Sequence, residues 1–90
     1  MISNLKFTLA SADERARGLL GWLSLTTGIW RLDGLTLRRT RRGRLAVSFP
    51  VRVDGMGRQH PIVQPLDDRA RRKVEAEIIA QLGLMEASRR

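Results

Sequence analysis

Five arginines fall within the seven residues Arg38-Arg39-Thr40-Arg41-Arg42-Gly43-Arg44. Such a cluster repels itself and gains nothing from folding. The guanidinium group is a planar fork of donors that matches phosphate oxygens, stacks on bases and stays charged at every relevant pH. The chemistry this segment offers is therefore phosphate binding. Arg52 and Arg58 flank the Asp54-Gly55 pair and extend the basic stretch. From residue 38 to residue 58 there are seven arginines against Asp54 alone, which is +6 of the chain's net +8. GC-rich coding accounts for part of the preference for Arg (fifteen) over Lys (Lys6 and Lys73). It accounts neither for the net charge nor for the clustering, and a localised positive field attracts polyanions. The plain alternative is a solvated hairpin tip with no task.

A second basic group lies at Arg69, Arg71, Arg72 and Lys73. These residues open a helical pattern, where cations oppose the helix dipole at about 0.3–1 kcal/mol each. Arg69, Arg72 and Lys73 fall opposite the apolar stripe of that helix. Arg71 falls near the stripe, so its charged end must snorkel to water. Trp22 and Trp30 could stack on bases. Both lie in apolar segments with strand patterning, which favours packing in a core or a dimer interface.

Catalytic chemistry lacks parts. The single histidine, His60, precedes Pro61 and has no second His, Cys or carboxylate pair to complete a triad or metal site. The chain has no cysteine, which excludes disulfides, thiolate ligands and thiol nucleophiles together. Gly55-x-Gly57 lacks the Gly-Lys-Ser/Thr ending of a phosphate loop and opens no helix. Asp67-Asp68 suits a helix cap better than an acid–base pair. The residues thus point to a protein that is not an enzyme, with no metal, cofactor or small-molecule substrate.

The elements that must position these residues read as β-β-β-β-β-α. Leu5, Phe7 and Leu9 alternate with Lys6 and Thr8, as in a half-buried strand. Ser11 to Arg17 reads as a polar link. In Gly18 to Thr27, Leu19, Leu23 and Leu25 share one face, and Leu20 and Trp22 the other. Gly28 permits a turn. Ile29 to Arg39 is a strand whose phase breaks at Asp33-Gly34. Trp30 and Leu32 share a face before the break, and Leu35 and Leu37 after it. A β-bulge fits that one-residue change better than a two-residue turn. Arg38 to Arg44 reads as a loop, and Leu45 to Val53 as the next strand, with Pro50 marking an edge or bulge. Asp54-Gly55 and Gly57 mark a hairpin turn, and Gln59 to Leu66 a short strand. Asp67 or Asp68 caps a helix whose stripe is Ala70, Val74, Ile78, Leu82 and Met85, widened by Ile79. Gly83 is placed to end it in a left-handed conformation, with Leu84 folding back on Ile79. The expectation is an α+β fold, a curved antiparallel sheet of about five strands carrying one C-terminal amphipathic helix.

Ninety residues make room for one domain, 1–90, with 84–90 as a frayed tail. Met1 to Phe7 lacks the basic and apolar regions of a signal peptide. The longest nearly apolar run, Gly18 to Leu23, is too short to span a bilayer. With no cysteine, this suggests a cytoplasmic protein. Apolar residues on both faces of Gly18 to Thr27, with a single helix to cover them, suggest a homodimer.

From Leu45 to Leu82 the order of features resembles the SpoVG (stage V sporulation protein G) family. An apolar strand ending in Pro (LAVSFP) is followed by Arg52, Asp54-Gly55, Arg58, the HPIVQPL strand and an amphipathic helix. Upstream, LDGLTL sits where the family has a short strand. The chain departs from the family in its longer, Arg-rich loop, in Val51 and Val53, and in the earlier His-Pro pair. The resemblance implies a small bacterial domain with a curved sheet and helix that dimerises and regulates by binding DNA or RNA at selected sites. Arg38, Arg39, Arg41, Arg42 and Arg44 are then expected to clamp phosphates. Arg52 and Arg58 extend that surface, and Arg69, Arg72 and Lys73 flank it. A protein–protein adaptor that docks an acidic partner is the alternative in a different class.

Overall fold

The computed structural model describes residues 2–88. The elements are strand β1 (Ile2–Leu9), helix α1 (Ala12–Ala16), strands β2 (Leu19–Thr27), β3 (Trp30–Arg39), β4 (Leu45–Ser48), β5 (Val51–Val53) and β6 (Gln59–Pro61), and helix α2 (Asp68–Ser88). Strands β1 to β4 form one antiparallel sheet in sequence order, and β5 and β6 form a separate antiparallel ribbon. Helix α2 lies against one face of the larger sheet. The fold is α+β.

The β2–β3 hairpin shows how sequence sets the faces. Thr27 pairs with Trp30 across a two-residue turn that begins at Gly28, whose φ is 58°. Leu25 then pairs with Leu32, but Leu23 pairs with Leu35, so β3 holds one extra residue at Asp33-Gly34. This is the expected β-bulge. Gly34 supports it with a φ of 77°, a conformation that a side chain would disfavour. The inserted residue restores the phase, so that Leu32, Leu35 and Leu37 all turn toward α2.

On that side Ile2, Leu23, Leu25, Leu35, Leu37 and Val47 pack around Ile78, which is 0 % exposed. Val74 and Leu82, one turn either side of Ile78, are half-buried against the same cluster. Two pairs of helix side chains, each spaced four residues apart, bond the backbone of the outer strands. Glu77 accepts the Ile2 N–H (2.7 Å) and Gln81 donates to the Ile2 carbonyl (2.9 Å). On the opposite strand, Glu75 accepts the Val47 N–H (2.8 Å) and Arg71 donates to the Val47 carbonyl (3.1 Å). The helix is thereby tied to both sides of the sheet as well as packed on it.

Gly21 marks the tightest approach in the sheet. A Cβ there would overlap the Thr8 carbonyl oxygen and lie 2.6 Å from the Phe7 ring. Backbone cannot yield as a side-chain tip does. Gly21→Ala is expected to cost about 1–3 kcal/mol, the range for overpacked cores. Chemical denaturation measures it, with Gly55→Ala, which meets open space, as the control.

Several elements differ from the sequence expectation. Ser11 to Arg17 is not a plain link, because Ser11 and Glu14 form a reciprocal capping box that starts α1. Leu45 to Val53 is two strands. Phe49-Pro50 interrupts pairing, and β5 turns away to pair with β6. The strand expected over Gln59 to Leu66 stops at Pro61. Arg38 and Arg39 belong to β3, opposite Ala46 and Leu45, so the loop proper is only Thr40 to Arg44. At the far end, Gly83 does not close the helix, which continues through Leu84, itself exposed, to Ser88. Ile79 is exposed and does not widen the stripe. Leu9 is exposed, so the half-buried pattern of β1 ends at Phe7. The side chain of Met85 and residues Arg89 and Arg90 lie outside the described residues. Asp67 is the cap of α2, its carboxylate accepting the Ala70 N–H at 2.8 Å.

Candidate functional site

The arginine-rich segment is a short hairpin. Arg38 and Arg39 close β3 and, as neighbours in a strand, point to opposite faces. Thr40 organises the turn. Its N–H donates to the Arg44 carbonyl, its carbonyl accepts the Gly43 N–H, and its hydroxyl accepts the Arg44 N–H. Gly43 takes a φ of 78°. Arg41, Arg42 and Arg44 project from this turn, and all five arginines are exposed. Among the described residues the salt bridges are Arg31 with Asp33, and Arg58 and His60 with Asp54. The five hairpin arginines therefore have no carboxylate partner there.

Arg52 and Arg58 lie on the β5–β6 ribbon. Arg52 pairs with His60, while Val51 pairs with Pro61 and Val53 with Gln59. Strand alternation places Arg52 and His60 together on one side. On the other side, Val51, Gln59 and Pro61 join Thr36, Arg38, Ser48 and Arg71 in lining a groove of about 540 Å³. Arg71 lies with its guanidinium 5.7 Å from the centre of the Phe49 ring. Asp54 holds the ribbon's turn together. Its carboxylate accepts from His60 Nε2 (2.7 Å) and from the backbone N–H groups of Met56 and Arg58 (2.9 and 3.0 Å). The His60 bond first, and the two backbone bonds after it, hold its carboxyl below the usual carboxylate range. Arg58 is thus tied to Asp54, and its charge is partly met. Arg69, Arg72 and Lys73 are exposed along the first turns of α2.

The residues singled out from the sequence accordingly separate into three places. Arg38, Arg39, Arg41, Arg42 and Arg44 share one hairpin. Arg52 and Arg58 sit on the ribbon. Arg69, Arg72 and Lys73 sit on the helix start. Arg38 and Arg71 link them, because both line the groove between sheet, ribbon and helix.

Sequence reasoning missed a fourth basic group. The face of the sheet opposite α2 carries Lys6, Trp22, Ser24, Thr36, Arg38 and Ser48, by strand alternation from the buried leucines. Arg31 joins them, lining one hollow of about 320 Å³ with Lys6 and Trp22. Trp22 is 38 % exposed and Trp30 67 % exposed, so neither is a core residue of this chain. The signal was the strand register. Once Leu23 and Leu25 point inward, Lys6 and Trp22 must point outward, and the bulge sets Arg31 apart from Leu35 and Leu37.

Among the described residues, no group of His, Cys, Asp and Glu could hold a metal ion, and no helix is long and apolar enough to cross a membrane. No family model, no curated protein and no solved structure matches the chain.

Proposed function

We propose that the protein is a non-enzymatic regulator that binds DNA or RNA through the Arg38–Arg44 hairpin. The observation that carries this reading is the hairpin itself. A turn ordered by its own backbone and by Thr40 presents arginines that no carboxylate among the described residues engages. Backbone phosphates are the ligand whose geometry and charge suit that display. Arg52 on the ribbon and Arg69, Arg72 and Lys73 on the helix start supply further positive charge, and Arg58 does so more weakly. These contacts give affinity and register and leave sequence choice to other groups. The SpoVG-like order of features from Leu45 to Leu82 supports the same reading and a cytoplasmic site of action.

The test is titration of a labelled oligonucleotide at two salt concentrations. Micromolar binding that weakens steeply with salt supports the proposal. Absence of binding at low salt refutes it and leaves an adaptor for an acidic protein partner.

The proposal includes a homodimer. Ile29, Trp30, Ile62 and Leu66 are exposed apolar side chains, Ile29 at 91 % and Leu66 at 97 %. Ile62 and Leu66 border the Val63–Pro65 segment, which lines an apolar hollow with Thr27 and Leu32 from the same hairpin as Ile29 and Trp30. A second chain would remove this surface from water. Sedimentation equilibrium is expected to give a dimer at high micromolar concentration, and Trp30→Asp is expected to shift it toward monomer. A wild-type monomer at that concentration removes the dimer from the proposal.

A further inference from the structure

We infer that the open face of the four-stranded sheet is a platform for a single strand of nucleic acid, with one base stacked on Trp22. This rests on the nucleic-acid reading above and names the form of ligand that this separate surface takes. Three observations carry it. First, the cross-strand row Thr8–Trp22–Thr36–Ser48 runs over all four strands on the side away from α2. It is polar except for one indole, 38 % exposed, whose uncovered part is the one aromatic surface in the row. Second, the surface has open hollows on either side of the Trp22–Thr36 pair. A hollow lined by Asn4, Lys6, Ser24 and Arg31 shares the last three with the hollow at Trp22. Thr36, paired with Trp22, lines the groove at Arg38. Along the strands, Lys6 and Arg31 thus lie to one side of Trp22, and Arg38, at the base of the arginine hairpin, lies to the other. Third, the charge on this face is net positive. Asp33 is the one carboxylate among the residues lining the Trp22 hollow, and Arg31 Nε meets it at 3.3 Å. Lys6 and Arg38 remain for phosphates.

A flat, half-exposed aromatic between cations binds an unstacked base, which has a free π-face, and not a duplex, whose bases are already stacked. The face therefore selects single strands, whereas the hairpin arginines engage the backbone of either form. Short contacts from Ser24, Thr36 and Ser48 are available to base edges or, in RNA, to the 2′-hydroxyl.

The experiment uses Trp30→Phe, which leaves Trp22 as the only tryptophan of the chain. Titration with a ten-residue oligothymidylate is expected to quench its emission, and titration with a mixed-sequence duplex is not. Adding Trp22→Ala is expected to weaken oligothymidylate binding about 5- to 150-fold, as loss of one stacked base does, with duplex binding unchanged. Lys6→Gln, an exposed change remote from the core, is expected to weaken single-strand binding preferentially, which keeps the test independent of how Trp22→Ala folds. Retained oligothymidylate binding with no quenching overturns the platform and leaves the hairpin proposal standing. Loss of binding to both forms in the parent overturns both. Emission of free Trp30→Phe that is blue-shifted and shielded from acrylamide, with a dimer in sedimentation, also overturns it, since a second copy then occupies the face.

Discussion

Ile78→Ala is expected to destabilise the domain by about 2–5 kcal/mol, the range for truncating a large aliphatic side chain in a packed core. Ile78 is fully buried, and six residues contributed by all four strands of the sheet close around it. No neighbouring side chain on the helix can replace it. Val74 and Leu82 already pack against the cluster from the turns on either side, so the cavity stays open. In a domain of this size each kcal/mol corresponds to about 4–8 °C in melting temperature, so a loss of 2 kcal/mol would lower it by about 8–16 °C. Small domains hold little stability in reserve, and the upper end of the range would leave the chain unfolded. The adjacent residue provides the control. Ile79→Ala removes the same atoms from a side chain 36 % exposed and is expected to cost a fraction as much. Thermal melts of the two variants side by side check the assignment. Equal losses would place the helix in a different rotation on the sheet.

The second large effect concerns salt. If three to five of the arginines Arg38, Arg39, Arg41, Arg42 and Arg44 neutralise phosphates of B-form DNA, log affinity should fall against log salt with a slope of about −3 to −4.5. Between 50 and 200 mM salt that is a loss of about 60- to 500-fold. A dimer using both hairpins would steepen the slope up to about twofold. Replacing Arg41 and Arg42 with Gln should flatten the slope by about one unit per lost contact. Binding to all sequences should weaken alike, because contacts to phosphate read no bases. The turn should survive, since its hydrogen bonds come from Thr40, Gly43 and Arg44 backbone groups and the Thr40 hydroxyl. A parent slope near zero, or a double variant that binds like the parent, refutes the phosphate clamp. Fluorescence anisotropy across a salt series reads both quantities.

The two predictions draw on different depths of sequence information. Ile78 was legible because a helix on a sheet writes its buried stripe at intervals of three and four, and Val74, Ile78 and Leu82 do so. The bulge at Asp33-Gly34 was legible because a phase change at a glycine has few other causes. Where the sequence misled, a local signal competed with a longer-range one. The apolar alternation of Leu45 to Val53 runs smoothly through Pro50, yet the missing N–H stops the ladder and a new pairing begins. The polar residues from Ser11 hid a capping box behind their resemblance to a linker. Gly83 carries the mark of a helix end, yet a glycine inside a helix costs only about 1 kcal/mol, and α2 runs through it.

The candidate site was legible only in part, for a related reason. Charge clusters along the chain are visible without a fold, so Arg38 to Arg44 stood out. Lys6, Trp22 and Arg31 come together only across β1, β2 and β3, and their sharing one face with Arg38 depends on register. Arg71 illustrates the same limit. Its spacing foretold a side chain that must reach out from the stripe, but the Val47 carbonyl and the Phe49 ring it reaches are distant in sequence.

The ties between α2 and the outer strands bear on how copies of this chain can meet. A strand that joins the sheet from outside must find consecutive free N–H and C=O groups. On β4, only four residues long, those of Val47 are taken by Glu75 and Arg71. On β1, Glu77 and Gln81 take those of Ile2, and the register breaks between Ser3 and Lys6. Neither border of the four-stranded sheet offers an uninterrupted template, which disfavours the strand-by-strand growth that seeds fibrils along those two edges.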